Sequence, residues 1–192
     1  MEMTQLAYLA LLGLLACERG VELWLSRRNA ARAFAEGGIE VGRGHLGVMR
    51  ALHTAFFFAC ALEVVGLSRP FEPRVGYPML ALAMAAQGLR YWAITTLGPR
   101  WNVRVIVVPG ASVVTSGPYR FLRHPNYAAV IAEGIAIPLI HGAWLTALVF
   151  TLANAWLLST RIRVEERALA EYCAQSDRLD GRPRFVPIRG TR

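Results

Sequence analysis

Two short stretches of this 192-residue chain carry side chains whose types and spacing suit chemistry. The first, Val114-Thr-Ser-Gly117-Pro-Tyr119-Arg-Phe-Leu-Arg123-His124-Pro125-Asn126-Tyr127, runs straight into an apolar segment. Ser-Gly-Pro forces a turn, and Pro125 fits the first turn of a helix. The backbone N–H groups at such a helix start lack intrahelical partners and carry a partial positive field, which suits a carboxylate or another acceptor. The second stretch is Arg161-Ile-Arg163-Val-Glu165-Glu166-Arg167. Taken alone, each has a plainer explanation. An Arg-His cluster beside an apolar run anchors at lipid head groups, and Arg161 with Glu165 fits a solvated i,i+4 helix face. Neither stretch offers a nucleophile with a matched base, so the pair is suited to binding and orienting charged groups.

The elements that position these residues are apolar helices. Residues 3–25, 46–67 and 75–97 each supply roughly the 20 residues that a hydrocarbon core requires. From Gly134 to Thr160 there is no Asp, Glu or Arg, yet His141-Gly142 interrupts the run, which predicts a hairpin of two short helices over 127–140 and 143–158. A hairpin brings its two ends side by side, so both polar stretches would face one cavity. The expected fold is an all-α integral membrane protein of about five transmembrane helices forming a single domain. Arginine counts are five over 26–50, four over 98–126 and eight from 161 onward, against Arg69 and Arg74 on the opposite side. The positive-inside rule then puts the N-terminus outside, and the 98–126 loop and the C-terminal tail in the cytoplasm, as expected of a multi-pass bacterial inner-membrane protein. Glu18, Arg19 and Glu22 would snorkel from the end of the first helix. Glu63, Arg90 and Glu133 lie within apolar stretches and would either pair, as Arg90 with Glu133, or line a tunnel. Tyr91, Trp92 and Trp101 fit an aromatic belt at an interface.

Composition agrees. Hydrophobic residues make up 55% of the chain and mean hydropathy is +0.36, so the net charge of +8 points to cytoplasmic loops and anionic lipid rather than nucleic acid. Cys17, Cys60 and Cys173 are too scattered for a disulfide framework or a metal site. Glu2 stands where a signal peptide would be basic, so the first apolar run is expected to be retained.

The motifs together resemble the isoprenylcysteine carboxyl methyltransferase family: Val114-Thr-Ser-Gly-Pro-Tyr119, Arg123-His-Pro-Asn-Tyr127, a two-helix hairpin, Arg161 with Glu165-Glu166, and a tail Arg184-Phe-Val-Pro-Ile188. The likeness covers about residues 90–188, whereas 1–89 carries only spans. It implies S-adenosylmethionine as methyl donor, with Tyr119, His124, Pro125, Asn126, Tyr127 and Glu165 in its pocket, Ala111, Ser112, Val113 and Val114 along it, and Arg161 on the substrate. The acidic run, only Glu165-Glu166 before Arg167, departs from the eukaryotic form, as does the proline before Tyr119. Arg90-Tyr-Trp-Ala-Ile94, Leu97-Gly98, Trp101, Val105-Ile-Val and Pro109-Gly110 look more like bacterial alkylpyrone O-methyltransferases, which act on products of type III polyketide synthases.

Both substrate types combine an acidic oxygen with a lipophilic tail. Such an oxygen, already ionised, needs no strong base; it needs to be held about 3–3.5 Å from the methyl group with water excluded. Arg161, helped by Arg123 or Arg104, would do the holding. Phospholipid N-methyltransferases share the Arg-His-Pro and paired-glutamate layout, but arginines suit an amine poorly. Sterol reductases share a related C-terminal half with a nicotinamide cofactor, and a non-catalytic membrane scaffold or small transporter would place the same clusters merely at span ends.

Overall fold

The computed structural model describes residues 2–179 and 181–185, so Val186-Pro-Ile188 of the tail motif lies outside the described residues. Five helices carry the chain: α1 (Met3–Ala35), α2 (Gly44–Gly66), α3 (Pro73–Leu97), α4 (Pro125–Leu139) and α5 (Trp144–Tyr172). The five apolar segments are therefore helices, with two changes of length. α1 continues ten residues past the expected Leu25, because Arg27 to Ala35 is rich in Ala and Arg, both strong helix formers. That extension is docked, since Ser26 Oγ bonds Asn102 at 2.7 Å and Asn29 donates to the carbonyls of Gly98 and Trp101 at 3.2 and 2.8 Å. α5 runs to Tyr172 instead of ending near 158, its polar last turns being good helix formers that a hydropathy reading takes for loop.

A second departure from an all-helical expectation is a small antiparallel sheet of β1 (Ile39–Val41) and β2 (Val105–Val107), with Glu40 opposite Ile106. It ties the α1–α2 connection to the loop after α3. β-branched Val and Ile on both strands suit that pairing.

α2 and α5 are long and apolar enough to cross a membrane. Leu62 on α2 (72% exposed) and Leu152 and Trp156 on α5 (64% and 70%) present bare apolar faces of the kind lipid covers. α1 and α3 have similar lengths but carry ionisable residues, and α4, at 15 residues, spans only about 22 Å. Those ionisable residues do not snorkel outward. Arg90 of α3 donates twice to Glu22 of α1, at 2.7 and 2.6 Å, and approaches Glu133 of α4 at 3.6 Å. Arg19 also turns inward, donating to Glu22 at 2.9 Å, and Gln87 donates to Glu18. The expected Arg90–Glu133 pair is thus one edge of a buried network in which Glu22 is the principal partner.

Away from the polar stretches, Tyr8, Leu12, Phe56, Cys60, Val64, Ile137, Ile140, Ala143 and Phe150 form the main core. Gly134 allows α4 and α5 to pack closely there, as a β-carbon would lie 2.5 Å from the Phe150 ring. The α4–α5 turn has Gly142 at φ +71°, a conformation glycine adopts freely. Glu63 does not line a tunnel. It accepts the N–H groups of Leu145 and Thr146 at 3.1 and 2.7 Å and the Thr146 hydroxyl at 2.8 Å, and pairs with Arg69 at 3.0 Å, so α2 supplies the cap that α5 lacks from its own Ala143. Glu63→Ala is expected to cost about 2–3 kcal/mol by stripping an ionised acceptor from those donors, read as a lowered denaturation midpoint in detergent. Trp101 is not in an aromatic belt but buried, at 3% exposure, whereas Tyr91 and Trp92 are exposed.

Candidate functional site

The turn Gly117–Arg120, with Gly117 at φ +54°, leads the chain to the start of α4, where Pro125 takes the first helical position and His124 precedes it. Across from them, α5 presents Arg161 and Glu165 one turn apart on the same face. Tyr127 joins the two. Its hydroxyl accepts a hydrogen bond from Arg161 Nε at 2.6 Å and donates one to Glu165. The i,i+4 pair is therefore not a simple solvated salt bridge, since a buried phenol bridges it. Arg161 is itself buried, and its other nitrogens donate to the Val103 carbonyl and reach the Met49 sulfur at 3.6 Å. Leu158 and Ile162 pack around Tyr127 and fix this register.

Glu166, one residue on, faces a different way. It meets His124 Nε2 at 3.1 Å and takes a two-pronged bond from Arg184 at 3.0 and 2.6 Å, with Arg123 at 3.6 Å. That bond to Glu166, with the carboxylate's negative charge, pushes the Arg184 guanidinium further toward the protonated side. Backbone bonds from Arg123 and His124 to the carbonyls of Pro183 and Arg184 lay residues 183–184 along the start of α4. Arg182 Nη1 adds a bond to the Tyr119 carbonyl at 2.5 Å. The segment 110–113 is stitched to the end of α5, through Gly110 N–H to Tyr172 and Ala174 N–H to Ala111 at 2.8 and 3.1 Å.

These elements enclose a cavity of about 1030 Å³. Ala111, Ser112, Val113, Val114, Tyr119, His124, Asn126, Tyr127, Arg161 and Glu165 all line it, as do Arg104 and Arg123. Pro125 does not: it is buried, setting the direction of α4 from behind. The two rim arginines have protein partners already. Arg123 Nε donates to the Arg182 carbonyl at 2.7 Å, and Arg104 pairs with Glu40 at 3.4 Å. Burial and the nearby Glu165 charge raise the Tyr119 phenol above its ordinary pKa, so it stays a neutral donor. From this polar end the cavity continues past His53, Arg90 and Glu22 to Leu9, Leu12, Phe57 and Ala61 between α1 and α2.

Residues to which the sequence assigned no site role also belong here. Glu166, Arg182 and Arg184 brace the start of α4, hinted at only by the paired glutamates and the tail arginines. Met49 and His53 line the cavity from α2, and a lone histidine in an apolar run gives no warning of that. No group of three or more potential metal ligands occurs among the described residues, and the three cysteines are free.

Residues 79–171 match the isoprenylcysteine carboxyl methyltransferase (ICMT) family model. The chain is 39% identical over 163 residues to YpbQ, an uncharacterized protein of Bacillus subtilis (strain 168), covering 84% of this chain and 96% of that one. It is 29% identical over 161 residues to an uncharacterized protein of Haemophilus influenzae, covering 82% and 92%. Its structure is similar to that of the eukaryotic intramembrane Ras methyltransferase ICMT, with a TM-score of 0.50 and 25% identity, covering 66% of this chain and 46% of that one. The chain thus spans about half the length of the solved enzyme. The matched stretch takes in both polar clusters joined across α4 and α5, and over it the chain is similar to the isoprenylcysteine carboxyl methyltransferase family.

Proposed function

We propose that the protein is an S-adenosylmethionine-dependent O-methyltransferase that modifies an acidic oxygen on a lipophilic substrate. The observation that carries this reading is the shape of one cavity, with Glu165, His124 and Asn126 at its polar end, Arg161 beyond them and an apolar channel between α1 and α2 leading away. The acceptor is the ring hydroxyl of an alkylpyrone-type polyketide, the product of a type III polyketide synthase, or an isoprenylcysteine-like carboxylate. Either places an anionic head at Arg161 and a hydrocarbon tail against Leu9, Leu12 and Phe57.

The donor set fits the cofactor. Glu165 offers a carboxylate to an ammonium group, and Asn126 Oδ1 is buried without a partner among the described residues, an acceptor whose donor a ligand would supply. The start of α4 offers a positive field to a carboxylate. When bound, the sulfonium supplies an electrophilic methyl group. Arg161 holds the acceptor oxygen and stabilises its anionic form, while Tyr127 fixes the Arg161 fork. The apolar wall keeps water from the reacting oxygen.

Purified protein in detergent is expected to bind labelled S-adenosylmethionine saturably and to transfer label to an alkylpyrone or a prenylcysteine analogue. Absence of saturable binding would favour a scaffold role, and labelling only of phosphatidylethanolamine would favour phospholipid N-methylation.

A further inference from the structure

His53 lines the cavity one helical turn deeper along α2 than Met49, the residue whose sulfur Arg161 reaches. Its Nδ1 lies 2.9 Å from the Met49 carbonyl, an acceptor that cannot donate, so Nδ1 carries the proton. The other nitrogen, Nε2, is then the bare, basic one. It has no hydrogen-bond partner among the described residues and is not fully buried. The ring plane is set by an edge-on contact with Phe150, centroids 5.3 Å apart. The charged neighbours from the surrounding elements are Arg19 of α1, Arg90 of α3 and Arg161 of α5. The acids of this layer, Glu22 and Glu133, are engaged with Arg90. A histidine held by i−4 bonding to its own helix has a structural explanation for Nδ1 but none for an open Nε2 in the cavity that the guanidinium assigned to the acceptor oxygen also lines.

We propose that His53 Nε2 is the base that deprotonates the acceptor, and that the acceptor is therefore a hydroxyl still protonated at neutral pH, of phenol type, rather than a carboxylate or an already ionised enol. This rests on the methyltransferase reading above. The hydroxyl O–H bond breaks and its proton passes to Nε2, the oxygen forms a bond to the methyl carbon, and the carbon–sulfur bond breaks to leave a neutral thioether. Arg161 stabilises the oxygen anion between the two events, and the imidazolium afterwards returns its proton to solvent through the cavity.

The test uses the full chain in detergent with two acceptors of equal tail length, a long-chain alkylphenol and a long-chain thioether carboxylate, alongside binding of labelled S-adenosylmethionine. Wild type is expected to methylate the phenol. His53→Gln, which keeps an amide but no base, is expected to bind the cofactor within about twofold of wild type and to lose phenol turnover by about 10²-fold, mainly in kcat. Unchanged phenol turnover in His53→Gln, or methylation by wild type of the carboxylate alone, would overturn the proposal. A wild-type protein that binds no S-adenosylmethionine would instead overturn the methyltransferase reading itself. If His53→Gln fails to fold, judged by its elution as aggregate, His53→Asn, able to keep the Met49 bond, takes its place with the same expected loss.

Discussion

Arg161→Ala is expected to lower turnover by about 10²–10³-fold while S-adenosylmethionine binding changes by no more than about threefold. Arg161 is 7% exposed and its fork is fully directed, with Nε on the Tyr127 hydroxyl, one terminal nitrogen on the Val103 carbonyl and the other at the Met49 sulfur 3.6 Å away. Removing it takes away the guanidinium that Tyr127 ties to the Glu165 end of the cavity, where the proposed acceptor oxygen would sit. Tyr127 keeps its bond to Glu165, so the cofactor end is left largely in place. Arg161→Lys separates charge from geometry. A lysine restores the positive charge but cannot reproduce a planar fork, so it is expected to recover part of the lost rate and not all of it. The measurement is a single-turnover rate at saturating cofactor beside a calorimetric titration. A variant that turns over like wild type would remove Arg161 from the mechanism.

Glu165→Ala is expected to act at the other step. Loss of an ionised partner for a ligand ammonium costs about 1.5–3 kcal/mol, which weakens S-adenosylmethionine binding by roughly 10- to 150-fold. Glu165 lines the cavity, whereas Glu166 beside it points to His124 and Arg184 and holds the tail. Glu166→Ala is therefore the control, since it removes an equal charge one residue away and is expected to weaken binding far less. The same titration in detergent decides both. Equal losses for the two variants would mean that Glu165 acts through the packing of α4 and not through the ligand.

The local signals that proved readable were those written in consecutive residues. Ser116-Gly117-Pro118 produces its turn, Pro125 starts α4, and His141-Gly142 separates α4 from α5. Arg161 and Glu165 share a face because a helix places i and i+4 together. Pairings between distant segments left no such trace. Nothing near Glu63 indicates that it caps a helix more than eighty residues away, and nothing in Glu22 singles out Arg90. The extensions of α1 and α5 were hidden for a different reason: hydropathy marks where a helix leaves lipid, not where it ends. Arg104 and Arg123 line the cavity, and what residue type could not show is that Glu40 and the Arg182 carbonyl hold their side chains.

α5 is a single uninterrupted helix from Trp144 to Tyr172. Trp156, 70% exposed on its apolar face, and Arg161, 7% exposed in the cavity, lie five residues or about 7.5 Å apart along its axis. The helix thereby acts as a ruler between two phases. On the proposed function, a water-soluble methyl donor and an oily acceptor have no common solvent, and the depth at which they would meet is set by the spacing of side chains on one rigid rod.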